Sequence, residues 1–269
     1  MKMKAWLHAS WAAAAVALVV PMLGGCSIQL GSTSSAPSAV SNGVVDLQQG
    51  THVMKPAAGF SCPSQSLRGC FTENDMVVYY EYVLPFIDPF YESTWPSVPL
   101  PAHVYFLPDG VTMQEACEDP NGNDTADDMS YAYCPADDNV YIGQQLAWEL
   151  YSEAGDVAPA IGIAHEFGHN VQTHVGVPVP RSDAQTLVHE NQADCVAGAW
   201  LGYANNHHLL LQSDVPVIQR MIELIASSEN DPNRTHGDFQ ERGHAIQTGG
   251  EQGIAACNSY YPSNPIVSS

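Results

Sequence analysis

The stretch DVAPAIGIAHEFGHNVQ occupies residues 156–172 and decides how the rest of the chain is interpreted. Apolar and small residues recur in it at helical spacing, which is typical of a buried helix. Asp156 is a favourable N-cap residue, and Pro159 is tolerated in the first helical turn. The pattern therefore predicts a helix that lies in the core.

Three residues of this predicted helix carry chemistry. His165 and His169 are four residues apart and project from one face, at about the separation two imidazoles need to share a tetrahedral zinc ion. Glu166 would lie beside the metal, where it can take a proton from bound water. A shuffled chain of this composition would contain His-Glu-x-x-His roughly 2% of the time, so a third ligand is needed to support the interpretation.

The stretch LVHENQADCVAGAW, residues 187–200, supplies that ligand. It lies in a second predicted helix, from about residue 183 to 205, whose apolar stripe contains two carboxylates. Carboxylates on a buried stripe need a partner. Antiparallel packing of the two helices would bring Glu190 to the metal, and Asp194, one turn later, could accept the free ring N–H of a ligand histidine.

The N-terminus indicates export. Residues 1–25 read as a signal peptide with an apolar core too short to span a bilayer comfortably, and Leu23-Gly24-Gly25-Cys26 resembles the lipobox of bacterial lipoproteins. That resemblance implies a lipid on Cys26; a plain secretory peptide is the alternative. Residues 26–59 have the composition of a flexible tether, so we expect one folded domain at 60–269 and anchoring on the outer side of the cell membrane.

The charge balance excludes one class of partner. The chain has 29 acidic and 8 basic residues and a formal net charge of −21. Nucleic acids are bound mainly through Lys and Arg contacts to phosphates, and so few basic residues cannot form such a track. The acidic region 118–138 fails the EF-hand pattern because Asp124 and Ser130 stand where Gly and Glu are required; a solvated loop or an irregular calcium site remains open there.

An even number of cysteines beyond Cys26 predicts disulfides in an exported chain. None has the spacing of a thiolate zinc site. Fifteen pairings are possible, and short loop closure together with anchoring of the C-terminus favours three: Cys62 with Cys70, Cys117 with Cys134, and Cys195 with Cys257.

These motifs resemble the neutral zinc metallopeptidase family of bacteria and, more widely, gluzincins such as thermolysin. The resemblance is carried by HEFGHNVQ at 165–172, ENQADCVAGAW at 190–200 and Thr235-His236-Gly237 followed by Ala255-Ala256-Cys257-Asn258, and it covers about 62–260. Residues 240–250 lack the aromatics expected of the family, which leaves the shape of the pocket open.

The resemblance implies an α+β fold, with a small N-terminal β-sheet followed by a zincin-type helical core. Alternating apolar runs at 102–107 and 139–142 favour strands. In gluzincin-like folds a strand before the active helix receives the substrate backbone, a role that residues 136–143 could fill. The resemblance also suggests that His236 donates to the transition-state oxyanion, whereas its loop position suits a surface histidine equally well. Structural or surface positions are predicted for five other histidines: His174, His189, His207, His208 and His244.

Two functional hypotheses follow. The first is a zinc metallopeptidase with one zinc ion per chain on His165, His169 and Glu190, in which Glu166 activates the zinc-bound water to attack a peptide or protein substrate. The second is a tethered binding or scaffold protein with a structural zinc site and no hydrolytic activity. A structural site has no use for a general base beside an open coordination position, so Glu166 favours the first hypothesis.

Overall fold

Residues 43–47, 66–118, 122, 124–231 and 234–268 are described by a computed structural model. The predicted signal peptide, the lipidation site Cys26, most of the predicted tether and Cys62 lie outside these ranges. None of the helices in the described ranges combines the length and apolar character needed to cross a membrane.

Six short strands precede most of the helices. They are β1 (Val45–Asp46), β2 (His103–Leu107), β3 (Met113–Gln114), β4 (Thr125–Ala126), β5 (Tyr131–Cys134) and β6 (Asn139–Gly143). Four of them form a sheet in the order β1-β2-β6-β5, in which β2 and β6 are parallel and the outer pairs are antiparallel. Strands β3 and β4 form a separate antiparallel pair. Every residue of β6 is buried, as expected for an interior strand.

The helices build the larger part of the described chain. They are α1 (Met76–Thr94), α2 (Gln144–Glu149), which continues as a π-helix over Leu150–Ala154, α3 (Ala158–Val175), α4 (Asp183–Asn206), α5 (Val215–Ile225) and α6 (Phe239–Gln252). Short 3-10 helices cover Glu73–Asp75, Gln212–Asp214 and Ile254–Tyr260. The predicted α+β class and the helix pair α3 and α4 are confirmed.

The expectation that strands come first is wrong at one element. The 19-residue helix α1 lies between β1 and β2, and it contains Pro85 and Pro89 in its interior. An internal proline removes a helical hydrogen bond and usually ends a helix, which explains why sequence patterns do not predict this one. Its buried face packs against α3 and α4 and closes the core.

The predicted position of the substrate-binding strand also needs correction. Residues 136–143 include β6, which lies between β2 and β5 and has no free edge. The edge strands are β1 and β5, and β5 contacts α3. Sequence alternation predicted β2 and β6 but not β5, and it could not order the strands within the sheet, because that order depends on non-local pairing.

Helix α3 is held by hydroxyl groups rather than by the predicted cap. Val157 is the N-cap residue, and the Asp156 carboxylate instead accepts a hydrogen bond from the hydroxyl of Ser66 at 2.9 Å. The hydroxyl of Tyr131 donates to the carbonyl of Pro159 at 2.6 Å, and that of Tyr91 to the carbonyl of Ala164. Buried tyrosines thus fix the helix next to its functional residues.

Helices α4 and α6 approach backbone to backbone. A Cβ atom on Gly249 would lie 1.8 Å from the carbonyl oxygen of Cys195, and one on Gly198 would lie 2.1 Å from that of Ile246. Only glycine fits such contacts. This close approach brings α6 side chains to the carboxylates of α4.

Two of the three predicted disulfides are present. Cys117 pairs with Cys134, and Cys195 pairs with Cys257. Cys70 is also disulfide-bonded, and Cys62, the partner predicted for it, lies outside the described residues. The bond between Cys195 and Cys257 links α4 to the 3-10 helix at 254–260.

Candidate metal centre

Three side-chain atoms from α3 and α4 converge on one point. The Nε2 atoms of His165 and His169 are 3.1 Å apart, and Oε2 of Glu190 lies 3.1 Å from the first and 3.4 Å from the second. In the part of the chain that the structure describes, these three residues form the one group of His, Cys, Asp or Glu arranged to hold a metal ion. The helix pair thus brings together the three residues that the sequence predicts as ligands.

Hydrogen bonds to the Nδ1 atoms of the two histidines determine whether their Nε2 atoms present a lone pair. Nδ1 of His169 lies 2.7 Å from Oε1 of Gln172. The amide nitrogen of Gln172 donates to the carbonyl of His189 at 2.8 Å and to Oε1 of Gln192 at 3.0 Å, which fixes the orientation of the amide. Nδ1 of His169 therefore carries the proton, and its Nε2 presents a lone pair.

His165 is oriented in the same way by Asp194. Its Nδ1 lies 2.9 Å from Oδ1 of that carboxylate, the contact expected from the sequence. A carboxylate is an acceptor, so the ring donates to it and turns Nε2 towards Glu190 and His169.

The donor set fits zinc in chemistry and spacing. Two imidazole nitrogens and one carboxylate oxygen are ordinary zinc ligands at about 2.0–2.2 Å, and two ligands of a tetrahedral ion are then roughly 3.3–3.5 Å apart. The observed separations of 3.1–3.4 Å are close to this. Three acceptor atoms so close together repel one another unless a cation lies between them.

The charges around these atoms also favour a cation. Burial lowers the pKa of His165, but the carboxylates of Asp194 and Glu190 outweigh it and raise that pKa to about 10. Burial opposes ionisation of Asp194, yet Arg242 and His165 hold its pKa down at about 2. Three carboxylates, Glu166 included, surround the histidines, against the one guanidinium of Arg242. This negative field attracts a divalent ion for the same reason that it attracts a proton.

Glu166 is held beside the ligands by strand β5. Its side chain is 7% exposed, and Oε2 accepts a hydrogen bond from the backbone N–H of Tyr133 at 2.8 Å. Burial, the largest influence, raises the pKa of Glu166, although the two histidines oppose it. A carboxylate with a raised pKa is better matched to proton transfer near neutral pH.

His236 also lies next to Glu190. Its Nε2 is 3.3 Å from Oε2 of Glu190, and its side chain is 47% exposed. The loop that carries it is held by an ion pair between Arg234 and Glu241 and by Asp238, whose side chain caps α6. The structure thus places His236 at the site and open to solvent.

Arg242 is the site residue that the sequence did not reveal. Its guanidinium donates to both oxygens of Asp194 at 2.9 Å, and it is 5% exposed. Arg242 is 48 residues from Asp194, so no local pattern connects them. A signal was available in the scarcity of basic residues, since an arginine in so acidic a chain invites a search for its partner.

His189 has a structural position, as predicted. Its ring stacks on that of His169, with centroids 5.3 Å apart and planes at 14°. Burial, assisted by the two ligand histidines, lowers the pKa of His189 to about 4. The neutral ring therefore packs against that of His169, a candidate ligand, without adding a positive charge to the site.

A helix pair that presents His-Glu-x-x-His and a third carboxylate, with a buried glutamate beside them, is the type of site found in zinc metallopeptidases. A comparison with protein families agrees with this class. The chain belongs to the family described as "Putative neutral zinc metallopeptidase", whose sequence profile matches residues 73–260.

Similar individual proteins are themselves uncharacterized. The chain is 30% identical over 156 residues to the uncharacterized protein YpfJ of Escherichia coli (strain K12), a match that covers 49% of this chain and 54% of that protein. It is 35% identical over 83 residues to the uncharacterized protein Rv2575 of Mycobacterium tuberculosis (strain H37Rv), covering 27% and 28%. The match thus spans about half the length of the first relative, and no solved structure matches the chain.

Proposed function

We propose that this protein is a zinc-dependent peptidase that hydrolyses peptide bonds at the cell surface. The observation that carries the proposal is the convergence of three acceptor atoms, from His165, His169 and Glu190, beside the buried carboxylate of Glu166. The two histidine rings are already oriented by partners on Nδ1, so the ligands need little rearrangement to bind an ion.

In this proposal the three residues hold one zinc ion per chain. When bound, zinc polarises the scissile carbonyl and makes a water molecule in its open position more acidic. Asp194 keeps the ring of His165 in the ligating orientation, and Gln172 does the same for His169. Arg242 donates to both oxygens of Asp194 and lowers its pKa, which keeps that carboxylate ionised and able to accept the Nδ1 proton of His165.

Glu166 acts as the general base and then as the general acid. The N–H of Tyr133 occupies one carboxylate oxygen and leaves the other for the attacking water. The proton taken from that water is passed to the amine of the leaving group. Burial of Glu166 supports this role, because a less hydrated carboxylate is more basic.

His236 is proposed to donate a hydrogen bond to the oxyanion of the transition state. Its position 3.3 Å from Glu190 and its partial exposure support this role, since the substrate must approach the ligands from solvent. The ion pair of Arg234 with Glu241 limits the motion of the loop, so the imidazole is preorganised.

The edge of β5 is proposed to bind the substrate backbone. The N–H of Tyr133 points away from β6 and towards Glu166. In an extended strand the carbonyl of the same residue points to the same side, so it is available to an added peptide strand. The substrate would then run past Glu166.

The cell-surface location is proposed from the sequence alone. Leu23-Gly24-Gly25-Cys26 supports cleavage before Cys26 and attachment of a lipid, and the tether at 26–59 would separate the domain from the membrane. Labelling of the expressed full-length chain with a radioactive fatty acid, against a Cys26→Ser control, tests this part independently.

The decisive experiment compares the purified full-length chain with its Glu166→Gln variant. Zinc content is measured by atomic spectroscopy, and hydrolysis is measured on casein and on a mixed peptide library with and without chelator. We expect both proteins to bind one zinc ion and the variant to lose hydrolysis by several orders of magnitude, since glutamine cannot take the proton.

An exposed glutamate of α2 provides the matched control. Glu149→Gln makes the same chemical change away from the site and should leave hydrolysis unchanged. Wild-type hydrolysis in the Glu166→Gln protein would refute the mechanism. Absence of hydrolysis in every protein, with zinc bound, would favour the scaffold hypothesis.

A further inference from the structure

A concave surface lies close to the candidate ligands, where the chain passes from α3 to α4. The pocket has a volume of about 570 Å³ and is lined by Pro178, Val179, Pro180, Arg181, Gln185 and Tyr261. Its walls are mostly apolar, and its charged group is the guanidinium of Arg181. The side chain of Val179 is 79% exposed, the highest value among the large hydrophobic residues described as exposed.

Two ring contacts connect this pocket to the ligands. The ring of His169 stacks on that of His189 at 5.3 Å, and the ring of His189 meets that of Tyr261 edge-on at 6.2 Å. Tyr261 also interacts electrostatically with Glu190, because burial and the charge of that carboxylate raise the pKa of Tyr261. An extended peptide advances about 3.3–3.6 Å per residue, so the pocket lies within about four residues of a peptide bond held at the ligands.

Five arginines lie in the described ranges, and two of them, Arg68 and Arg181, make no ion pair there. Arg220, Arg234 and Arg242 each pair with a carboxylate. Arg181 makes no ion pair with any residue in the described ranges, although Asp183 is only two positions away. The backbone N–H of Arg181 is bound to Oε1 of Gln185 at 2.7 Å, and both residues line the pocket.

We propose, on the basis of the proposed peptidase function, that this pocket binds a carboxylate of the substrate through Arg181. The planar guanidinium matches a carboxylate with two parallel hydrogen bonds, and the apolar walls suit the methylene groups of an acidic side chain. The carboxylate belongs to a glutamate or aspartate side chain or to the C-terminus of the peptide.

The net charge of the chain does not oppose this binding at close range. Charges in solvent are largely screened beyond about 8 Å at physiological ionic strength, so most of the acidic surface contributes little to the potential within the pocket. The distant acidic surface affects mainly the rate of approach, and the preference itself is set by the local guanidinium.

The test starts from a peptide that the wild-type protein cleaves. It is resynthesised with Glu or Gln in turn at the four positions on each side of the scissile bond, and with a C-terminal carboxylate or amide. In one of these peptide pairs, we expect kcat/KM to be roughly 3- to 10-fold higher for the peptide with the carboxylate, mainly because its KM is lower. This is the size of effect expected of one partly exposed charged pair. A side-chain pair indicates an internal acidic residue, whereas the terminal pair indicates a C-terminal carboxylate.

Variants assign the preference to Arg181. In Arg181→Gln, the ratio of kcat/KM for the carboxylate peptide to that for its neutral partner should fall to about 1. In Arg181→Glu, a peptide with Lys at the same position should be preferred to the one with Glu. Arg220→Gln removes the same charge from the exposed surface of α5 and should keep the wild-type ratio. An unchanged ratio in Arg181→Gln, or no ratio above about 2 in the wild type, would overturn the proposal.

A binding measurement separates this proposal from the function on which it rests. The zinc-loaded Glu166→Gln protein is titrated with fluorescent Glu and Gln versions of one peptide, with and without Arg181→Gln, and anisotropy is recorded. Tighter binding of the Glu version, lost in the Arg181 variant, would support the pocket even if no peptide is hydrolysed. Equal affinities would refute it even if peptides are cleaved.

Discussion

Arg242 and Asp194 form an ion pair inside the protein, with Nε and Nη2 of the arginine each 2.9 Å from a different oxygen of the carboxylate. The same carboxylate accepts the Nδ1 proton of His165, also at 2.9 Å. One aspartate thus joins α3, α4 and α6 at a single point. The orientation of a predicted metal ligand therefore depends on a helix that contributes no ligand itself.

The first prediction concerns the stability of this buried pair. Arg242→Met should lower the free energy of unfolding by about 3–5 kcal/mol, because it leaves the charge of Asp194 buried without its main partner. Adding Asp194→Asn should recover part of this loss, since the neutral amide needs no cation. Urea unfolding of the zinc-saturated proteins measures both values. Arg220→Met, on the surface, should change stability by less than about 0.5 kcal/mol, and strictly additive effects of the two substitutions would contradict the coupling.

The second prediction concerns metal affinity. Asp194→Asn should weaken zinc binding by roughly 10- to 100-fold, because asparagine accepts the Nδ1 proton of His165 less strongly than a carboxylate does. The loss should remain smaller than in His165→Ala, which removes a ligand. Competition with a chromophoric chelator gives both affinities, and Asp183→Asn, an exposed change on the same helix, is the control. Equal zinc affinity in Asp194→Asn and wild type would reduce Asp194 to a packing role.

The candidate ligands could be predicted from the sequence because each group of them lies within a single helix. His165, Glu166 and His169 are fixed relative to one another by the geometry of one helix, as are Glu190 and Asp194 by the next. Packing of the two helices needed one further assumption, namely that buried carboxylates seek partners. The predicted residues therefore meet in the structure.

Features that depend on distant pairing were missed. The order β2-β6-β5 places β5 at an edge of the sheet and β6 in its interior, although 139–143 shows the stronger apolar pattern. Arg242 reaches Asp194 only because glycines let α4 and α6 touch. Helix α1 was obscured by Pro85 and Pro89, whose cost is offset by the burial of its aromatic face in the core.

The third prediction concerns the pH dependence of stability. Burial, with a smaller contribution from Glu92, raises the pKa of Asp88 to about 7. The folded state then holds a proton that the unfolded state releases near pH 4, so this residue stabilises the fold at low pH and the effect disappears as pH rises through 7. Asp88→Asn should be roughly 2–4 kcal/mol more stable relative to wild type at pH 8 than at pH 4. Urea unfolding at a series of pH values tests this, and a difference curve that is flat between pH 4 and 8 would disprove it.

The fourth prediction distinguishes the two disulfides by what each one supports. Cys195 adjoins Asp194, and the carbonyl of its partner Cys257 accepts from Gln192 at 3.0 Å, so Cys195→Ala with Cys257→Ala should mainly weaken zinc binding. Cys134 adjoins Tyr133, whose N–H holds Glu166, so Cys117→Ala with Cys134→Ala should mainly lower kcat. Loop closure across separations of 62 and 17 residues predicts losses of stability of roughly 4 and 3 kcal/mol. Zinc affinity, peptide hydrolysis and urea unfolding are compared for both double variants at a temperature where each remains folded. The reverse pattern, or free thiols at these positions in the purified wild-type protein, would show that the bonds do not support the site in this way.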